Sequence, residues 1–163
     1  MPSRLAGWKD RPAAGRRCQV DVQAVREKVR RIMTERFGAV TMGPDGAILF
    51  NYQQAYGYLV AEEWADGHVL VHIRCTVADE VPVSPALFEW AATAGQAYHF
   101  GHVFLLPDEA PATTVSVLVV HSLLGDTVDP DELLYAVFGV FGAANDLSGV
   151  VPSRFGGKAF NVS

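Results

Sequence analysis

The stretch AYGYLVAEEWADGHVLVHIRCTV, residues 55–77, decides the fold. It is rich in β-branched and aromatic residues, and Ala65 to Gly67 can form a tight turn between two strands. AILFNYQ, residues 47–53, supplies another strand immediately before it. Three strands with such short links predict an antiparallel meander. In its last strand two sets of residues point to opposite faces: Val69, Val71, Ile73 and Cys75 on an apolar face, and Leu70, His72, Arg74 and Thr76 on a mixed face.

Helical patterns lie before and after this meander. Apolar residues at helical spacing predict helices over residues 21–38, 83–96 and 125–147. Each has a residue suited to cap its first turn: Asp21, Ser84 and Asp129. The third helix contains Gly139 and Gly142, which are unfavourable inside a helix and therefore predict close approach of the sheet or of another helix.

A second hairpin is predicted from YHFGHVFLL, residues 98–106, and TVSVLVVHSLL, residues 114–124. Both segments are too continuously apolar to be half exposed. If the first is a regular strand, its side chains divide between two faces: Tyr98, Phe100, His102, Phe104 and Leu106 on one, and His99, Gly101, Val103 and Leu105 on the other. The order α-β-β-β-α-β-β-α predicts an α+β fold with a mainly antiparallel sheet of about five strands.

The composition allows one domain. A chain of 163 residues, 50% hydrophobic and 19% charged, can bury one core. We expect a basic, flexible arm at residues 1–19, a single domain over residues 20–157 and a tail at residues 158–163. The sequence lacks an apolar run of about eighteen residues and an export signal, so we expect a soluble cytoplasmic protein.

Charge is segregated along the chain. Residues 1–37 contain ten Lys or Arg and four Asp or Glu, whereas residues 38–153 contain fourteen acids and one base, Arg74. An acidic body repels a phosphate backbone, so nucleic acid is an unlikely partner for it. The basic arm is either a solvated leader or a strap that folds over the acidic body or a partner.

The histidines are the first candidates for chemistry. In a regular strand His99 and His102 lie on opposite faces and do not share a metal, and only a bulge at Gly101 would bring them to one face. No catalytic motif, metal site or cofactor loop is recognisable, and we expect neither cofactor nor metal. One alternative stays open, in which a small hydrolase or metal-dependent enzyme uses His72, His102 or His121 with a carboxylate from a turn.

The order of elements, together with HVFLLPD at residues 102–108, TVSVLVVHSLLGDTVDPDELLYAVFGVFGAANDL at residues 114–147 and RFGG at residues 154–157, resembles the YbjN-type domains. These are grouped with type III secretion chaperones and include bacterial sequences described as peptide-binding chaperones. The resemblance covers about residues 19–157. It implies an α+β domain, often dimeric, with an apolar surface that holds extended peptide, and it implies no catalytic residues.

These observations lead to the hypothesis of a non-enzymatic, chaperone-like protein- or peptide-binding module. We expect a cytoplasmic homodimer whose acidic rim favours clients with basic segments. The predicted contacts are Tyr98, Phe100 and His102 on one sheet face, with His72 and Arg74 on the mixed face of the meander. A further alternative is a regulator whose basic arm contacts nucleic acid or a membrane surface.

Overall fold

The computed structural model describes residues 21–64, 67–108 and 112–160. The predicted arm at residues 1–19, and part of the turn at Ala65 to Gly67, lie outside the described residues. The helices and strands follow the predicted order, with two short strands added: α1 Val22–Phe37, β1 Thr41–Met42, β2 Ile48–Tyr52, β3 Ala55–Glu63, β4 Val69–Pro82, α2 Pro85–Ala94, β5 His102–Pro107, β6 Thr114–Leu124, α3 Pro130–Phe155 and β7 Lys158–Ala159.

The strands form one antiparallel sheet of seven strands in the order β1-β2-β3-β4-β6-β5. The predicted meander is β2-β3-β4, and the predicted second hairpin is β5-β6. The additional strand β7 pairs with β4, with Ala78 opposite Ala159. Because β1 and β7 have two residues each, neither shows the alternation that reveals a strand in a sequence.

The helices that the structure describes pack against one side of the sheet and share a single core. From β4, Val71, Ile73 and Cys75 are fully buried in it. α1 contributes Met33 and α3 contributes Phe141, both completely buried. These β4 residues are the apolar set predicted from alternation, so that prediction is confirmed.

Capping residues set the starts of the helices. The Asp21 carboxylate accepts a hydrogen bond from Gln23 N–H at 2.9 Å, and Asp129 accepts one from Glu132 N–H at 2.8 Å. Ser84 Oγ accepts from the backbone N–H of Leu87 at 3.2 Å. Each bond satisfies one of the free N–H groups of a helix start, and the three predicted caps are confirmed.

The end of the chain differs from the prediction. The third helix, predicted to end near Leu147, continues to Phe155, where Val151 is fully buried and the ring centroid of Phe155 lies 5.2 Å from that of Trp90. Gly157 then has φ +89°, and a Cβ there would lie 2.7 Å from the carbonyl oxygen of Asp79. Glycine therefore allows the turn that brings β7 against β4.

α3 is long and apolar enough to cross a membrane by length and composition alone, and 44% of its most apolar window is buried in this fold. The buried apolar residues of α3, among them Val137 and Phe141, belong to the core that the helix shares with the sheet. Of the two glycines predicted to allow close approach, Gly139 does so, since a Cβ there would lie 2.7 Å from the Cβ of Phe100. The same prediction is wrong for Gly142, which faces open space.

The start of β5 corrects the predicted alternation. Gly101 has φ +86°, and the strand begins at His102 instead of Tyr98. This turn places Phe100 against α3, whereas His102 pairs with β6 as the first strand residue. The prediction that Tyr98 and Phe100 share a strand face with His102 is therefore wrong, because one residue at positive φ interrupts the period of two.

Candidate functional site: the open face of the sheet

The side of the sheet opposite the helices is the candidate functional site. The strand register aligns one row of residues across four strands: Tyr58 is opposite Arg74, Arg74 is opposite Val120, and Val120 is opposite His102. Because side chains alternate along a strand, residues two positions away lie on the same side. We call this surface the open face, and it consists of Tyr58, Val60, Glu62, His72, Arg74, His102, Phe104, Leu106, Leu118, Val120 and Ser122.

Polar groups are concentrated on β3 and β4. Arg74 Nη1 donates a hydrogen bond to the Tyr58 hydroxyl at 3.2 Å. The Glu62 carboxylate lies 4.0 Å from Arg74 Nη2 and 3.6 Å from His72 Nε2. His72 Nδ1 is hydrogen-bonded to Ser122 Oγ at 2.8 Å. This network fixes the orientation of the polar side chains without filling the surface above them.

The charge of this polar region at neutral pH depends on His72. Burial is the largest cause that lowers the pKa of its imidazole, and the positive charge of Arg74 lowers it further, while Glu62 acts in the opposite direction. Because the net shift is downward from an ordinary value near 6.5, the imidazole is mainly neutral at pH 7. Arg74 is therefore the permanent cation of the open face.

Apolar side chains dominate the half formed by β5 and β6. Phe104 and Leu106 of β5 are 45% and 47% exposed, so the expectation that this strand is not half exposed is wrong. On β6, Leu118 lies between β5 and β4 and is 7% exposed. The polar and apolar halves meet in a groove of about 340 Å³. The groove is lined by Tyr58, His72, Arg74, His102, Phe104, Leu106, Leu118, Val120 and Ser122 of the open face. His121 of β6 also borders the groove, although the register directs its side chain to the other side of the sheet.

The structure brings together three of the five predicted contact residues. His72, Arg74 and His102 all line the groove of the open face. Tyr98 and Phe100 instead pack against the core beside α3. Burial, followed by the negative charge of Asp146 in α3, raises the pKa of the Tyr98 hydroxyl, in accord with this position.

Four apolar residues of the groove were absent from the predicted contacts: Phe104, Leu106, Leu118 and Val120. Alternation had placed Phe104 and Leu106 with His102 on one face, and that part of the prediction is confirmed. Phe104 and Leu106 could have been identified from the sequence because they share a strand face with His102. Both lie on β5, which is the edge strand of the sheet. Their exposure, however, depends on which side the helices cover.

Of the three histidines considered for catalysis, His72 and His102 line the groove of the open face, whereas His121 lies on the other side of the sheet. His121 is opposite Ile73, whose side chain is in the core, and its ring contacts Phe100 edge-on at 5.6 Å. Gly101 N–H donates to His121 Nδ1 at 3.3 Å. Burial, then the nearby His102, lowers the pKa of the His121 imidazole, with Glu132 opposing. His72 and His121 thus point to opposite sides and do not form a pair.

Metal-binding and thiol chemistry have little support in the described part of the chain. Within residues 21–64, 67–108 and 112–160, no three His, Cys, Asp or Glu residues are arranged to hold a metal ion. The thiol of Cys75 is buried and donates to the carbonyl oxygen of Tyr56 at 3.1 Å. Burial raises the pKa of Cys75 to about 12, so the reactive thiolate is scarce at neutral pH.

No protein-family model and no curated protein match the chain. Three solved structures are similar in fold. The HopA1–SchA chaperone–effector complex matches with a TM-score of 0.54 and 10% identity, covering 80% of this chain and 98% of that chain. YbjN from E. coli, described as a candidate transcription regulator, matches with a TM-score of 0.54 and 11% identity, covering 84% and 95%. The ExsC–ExsE complex matches with a TM-score of 0.52 and 15% identity, covering 78% and 96%.

TM-scores of 0.52–0.54 show that the fold is shared, and at identities of 10–15% the similarity extends to the fold alone. The predicted α+β class, with three helices and a mainly antiparallel sheet, is confirmed, although the sheet has seven strands instead of about five. The chain has the α+β fold shared by YbjN and the type III secretion chaperones.

Proposed function

We propose that the protein is a non-enzymatic, chaperone-like module that binds an extended segment of a partner protein on the open face. The observation that carries the proposal is the exposure of Phe104 and Leu106 on a sheet surface that the described helices leave uncovered. Exposed apolar surface of this kind is typical of protein interaction sites. The similarity to the chaperone of the HopA1–SchA complex supports it.

Binding would be driven by burial of apolar surface. Complete burial of a Phe or Leu side chain is worth about 1.5–3 kcal/mol, and roughly half of this remains available at Phe104 and Leu106 because each is about half exposed. Ordering of the partner opposes this gain. A useful affinity therefore requires additional contacts along the groove.

The edge of the sheet offers such contacts. β5 ends the strand order and pairs with β6 on one side only in the described sheet. A partner segment in extended conformation can hydrogen-bond to a free strand edge.

A second copy of the chain is another possible occupant of this region. On the neighbouring helix α2, Phe88 is 52% exposed, and a second copy could cover its ring. We propose a homodimer, and light scattering across a concentration series tests its mass.

We also propose that the protein acts in the cytoplasm and favours clients with basic segments beside the groove. Glu62 lies on the open face, and Asp108, directly after β5, accepts a hydrogen bond from Ser116 opposite Leu106. Attraction between exposed charges weakens as salt is added. Affinity for a client should therefore fall between about 50 and 500 mM salt, and constant affinity would contradict this part.

The direct test uses a matched pair of substitutions in a pull-down followed by mass spectrometry. Phe104→Asp places a charge on the open face, whereas Tyr135→Asp places one on the solvent side of α3, where Tyr135 is 66% exposed. The expected result is loss of partners with Phe104→Asp and their retention with Tyr135→Asp. Identical partners for the wild type and Phe104→Asp would contradict the proposal.

A regulator is the second candidate, favoured by the description of YbjN and by the basic sequence of residues 1–19. A basic segment can bind nucleic acid or an anionic membrane surface. Deletion of residues 1–19 should abolish such binding while the thermal unfolding of the body stays unchanged. Retained binding by the truncated protein would argue against this candidate.

A further inference from the structure

Arg74 is a cation at the boundary between the polar and apolar halves of the open face, with Tyr58 and Glu62 on one side and Val120 on the other. It is the one Lys or Arg between residues 38 and 153, and the register sets it between Tyr58 and Val120. Its guanidinium carbon lies 5.8 Å from the centre of the Tyr58 ring, and its side chain is 36% exposed. A partner that covers the groove would also cover this charge.

The Arg74 guanidinium has more N–H donors than its described hydrogen bond uses. An arginine side chain offers five N–H groups, and the described hydrogen bond of Arg74 to a side chain is the one to the Tyr58 hydroxyl. The Glu62 carboxylate, at 4.0 Å from Nη2, is beyond hydrogen-bonding distance. Because the side chain is 36% exposed, solvent can reach the remaining donors while the open face is free.

A bound partner removes this water. Burying a charged group without a compensating partner is strongly unfavourable, because the lost hydration is not replaced. A carboxylate compensates best, since two parallel N–H groups of a guanidinium can donate to its two oxygens. Arg74 therefore favours partners that place a carboxylate over it.

The sheet register fixes where the apolar residues of such a partner lie. Leu118 lies opposite Thr76 of β4 and opposite Phe104 of β5. This row is two residues along the strands from the row that contains Arg74, on the same face of the sheet. Side chains two residues apart in an extended segment are separated by the same distance, about 6.8 Å. A segment parallel to the strands can thus meet Arg74 and the Leu118–Phe104 row with side chains two positions apart.

We infer that Arg74 selects partner segments in which an Asp or Glu is separated by one residue from a large apolar residue. The acid would pair with the Arg74 guanidinium, and the apolar side chain would pack on Leu118 and Phe104. This inference rests on the proposed function and names the chemistry of its client. Because the body of the chain is otherwise acidic, further acids in the segment are disfavoured.

Selection from a random twelve-residue peptide library displayed on phage tests this. The full chain is immobilised as the wild type, Arg74→Gln and Phe104→Asp. We expect wild-type protein to enrich peptides with the acid–x–apolar pattern, Arg74→Gln to enrich apolar peptides without the acid, and Phe104→Asp to enrich neither. A synthetic copy of one enriched peptide is then compared with its Glu→Gln version, for which affinity for the wild type should fall about tenfold.

The outcomes separate the two proposals. Two results would overturn the role of Arg74 and leave the proposed function standing. One is enrichment of peptides that require Phe104 but show no preference for acids. The other is equal affinity of the Glu and Gln versions of the peptide for the wild type. No enrichment, or the same peptides with Phe104→Asp, would contradict both. If Arg74→Gln fails to fold by circular dichroism, the Glu and Gln peptides are compared on the wild type and on Arg74→Lys, where the loss of bidentate pairing should reduce the difference.

Discussion

Gly139 in α3 and Phe100 before β5 are packed so closely that a Cβ at position 139 would lie 2.7 Å from the Cβ of Phe100. Phe100 therefore belongs to the packing between the sheet and α3. Phe104, four residues later, is 45% exposed on the open face. Two phenylalanines of one short segment thus lie on opposite sides of the sheet, the first stabilising the fold and the second available to a partner.

This difference predicts opposite effects on stability. Phe100→Ala should lower the free energy of unfolding by about 2–3 kcal/mol, since it removes a ring packed under α3. Phe104→Ala should change it by less than about 0.5 kcal/mol, because its ring already contacts solvent. Urea unfolding measures both variants. A larger loss for Phe104→Ala than for Phe100→Ala would contradict the assignment of the two sides.

Two glycines form a second matched pair. A Cβ at Gly57 would lie 2.2 Å from the carbonyl oxygen of Arg74 and 3.0 Å from the ring of Phe141, whereas a Cβ at Gly142 would meet nothing within 4 Å. Gly57→Ala should therefore destabilise the protein by about 1–3 kcal/mol. Gly142→Ala should stabilise it by roughly 0.5–1 kcal/mol through helix propensity. Thermal unfolding of both variants tests this, and equal shifts would count against it.

Asn145 connects α3 to the turn between β2 and β3. Its side-chain oxygen accepts from Gln54 N–H at 3.1 Å, and its amide nitrogen donates to the carbonyl oxygen of Tyr52 at 3.1 Å. Asn145→Ala leaves both backbone groups without this partner and should lower the free energy of unfolding by about 1–3 kcal/mol. Ser153→Ala, at an exposed position of the same helix, serves as the control. Equal urea midpoints for the two variants would contradict this role.

Asp126 predicts a contribution to stability that acid removes. Burial acts to raise the pKa of its carboxyl, but the hydrogen bonds from His68 and from Val69 N–H outweigh it, so the net pKa is lowered. A lowered pKa stabilises the fold above the ordinary carboxyl value, and this contribution is lost as the pH falls below about 4. Asp126→Asn should therefore lose less stability than the wild type between about pH 5 and 2. Parallel losses would disprove the contribution.

The sequence was sufficient for the long elements because local signals agree with the packing. The alternation in β4 is complete from Val69 to Thr76, and the caps at Asp21 and Asp129 mark helix starts. The same alternation failed around Gly101, where one residue with positive φ moves every earlier side chain to the other face. Glycine at position 101 permits this conformation, but whether the chain adopts it depends on the packing of Phe100 against α3.

The candidate site was only partly accessible to sequence reasoning for the same reason. Arg74 and His72 could be placed together because both lie on one regular strand. The groove they share with Phe104 and Leu118 depends on the register between strands and on which side the helices cover. Both properties arise from contacts between residues far apart in the chain.

The central claim is that a partner protein contacts the open face. Site-specific photo-crosslinking measures this contact in cells, with a photoreactive phenylalanine analogue at Phe104 or, as the control, at Tyr135. The account predicts crosslinked partner adducts from position 104 that are absent from position 135. No adduct from position 104, or the same adducts from both positions, would contradict it.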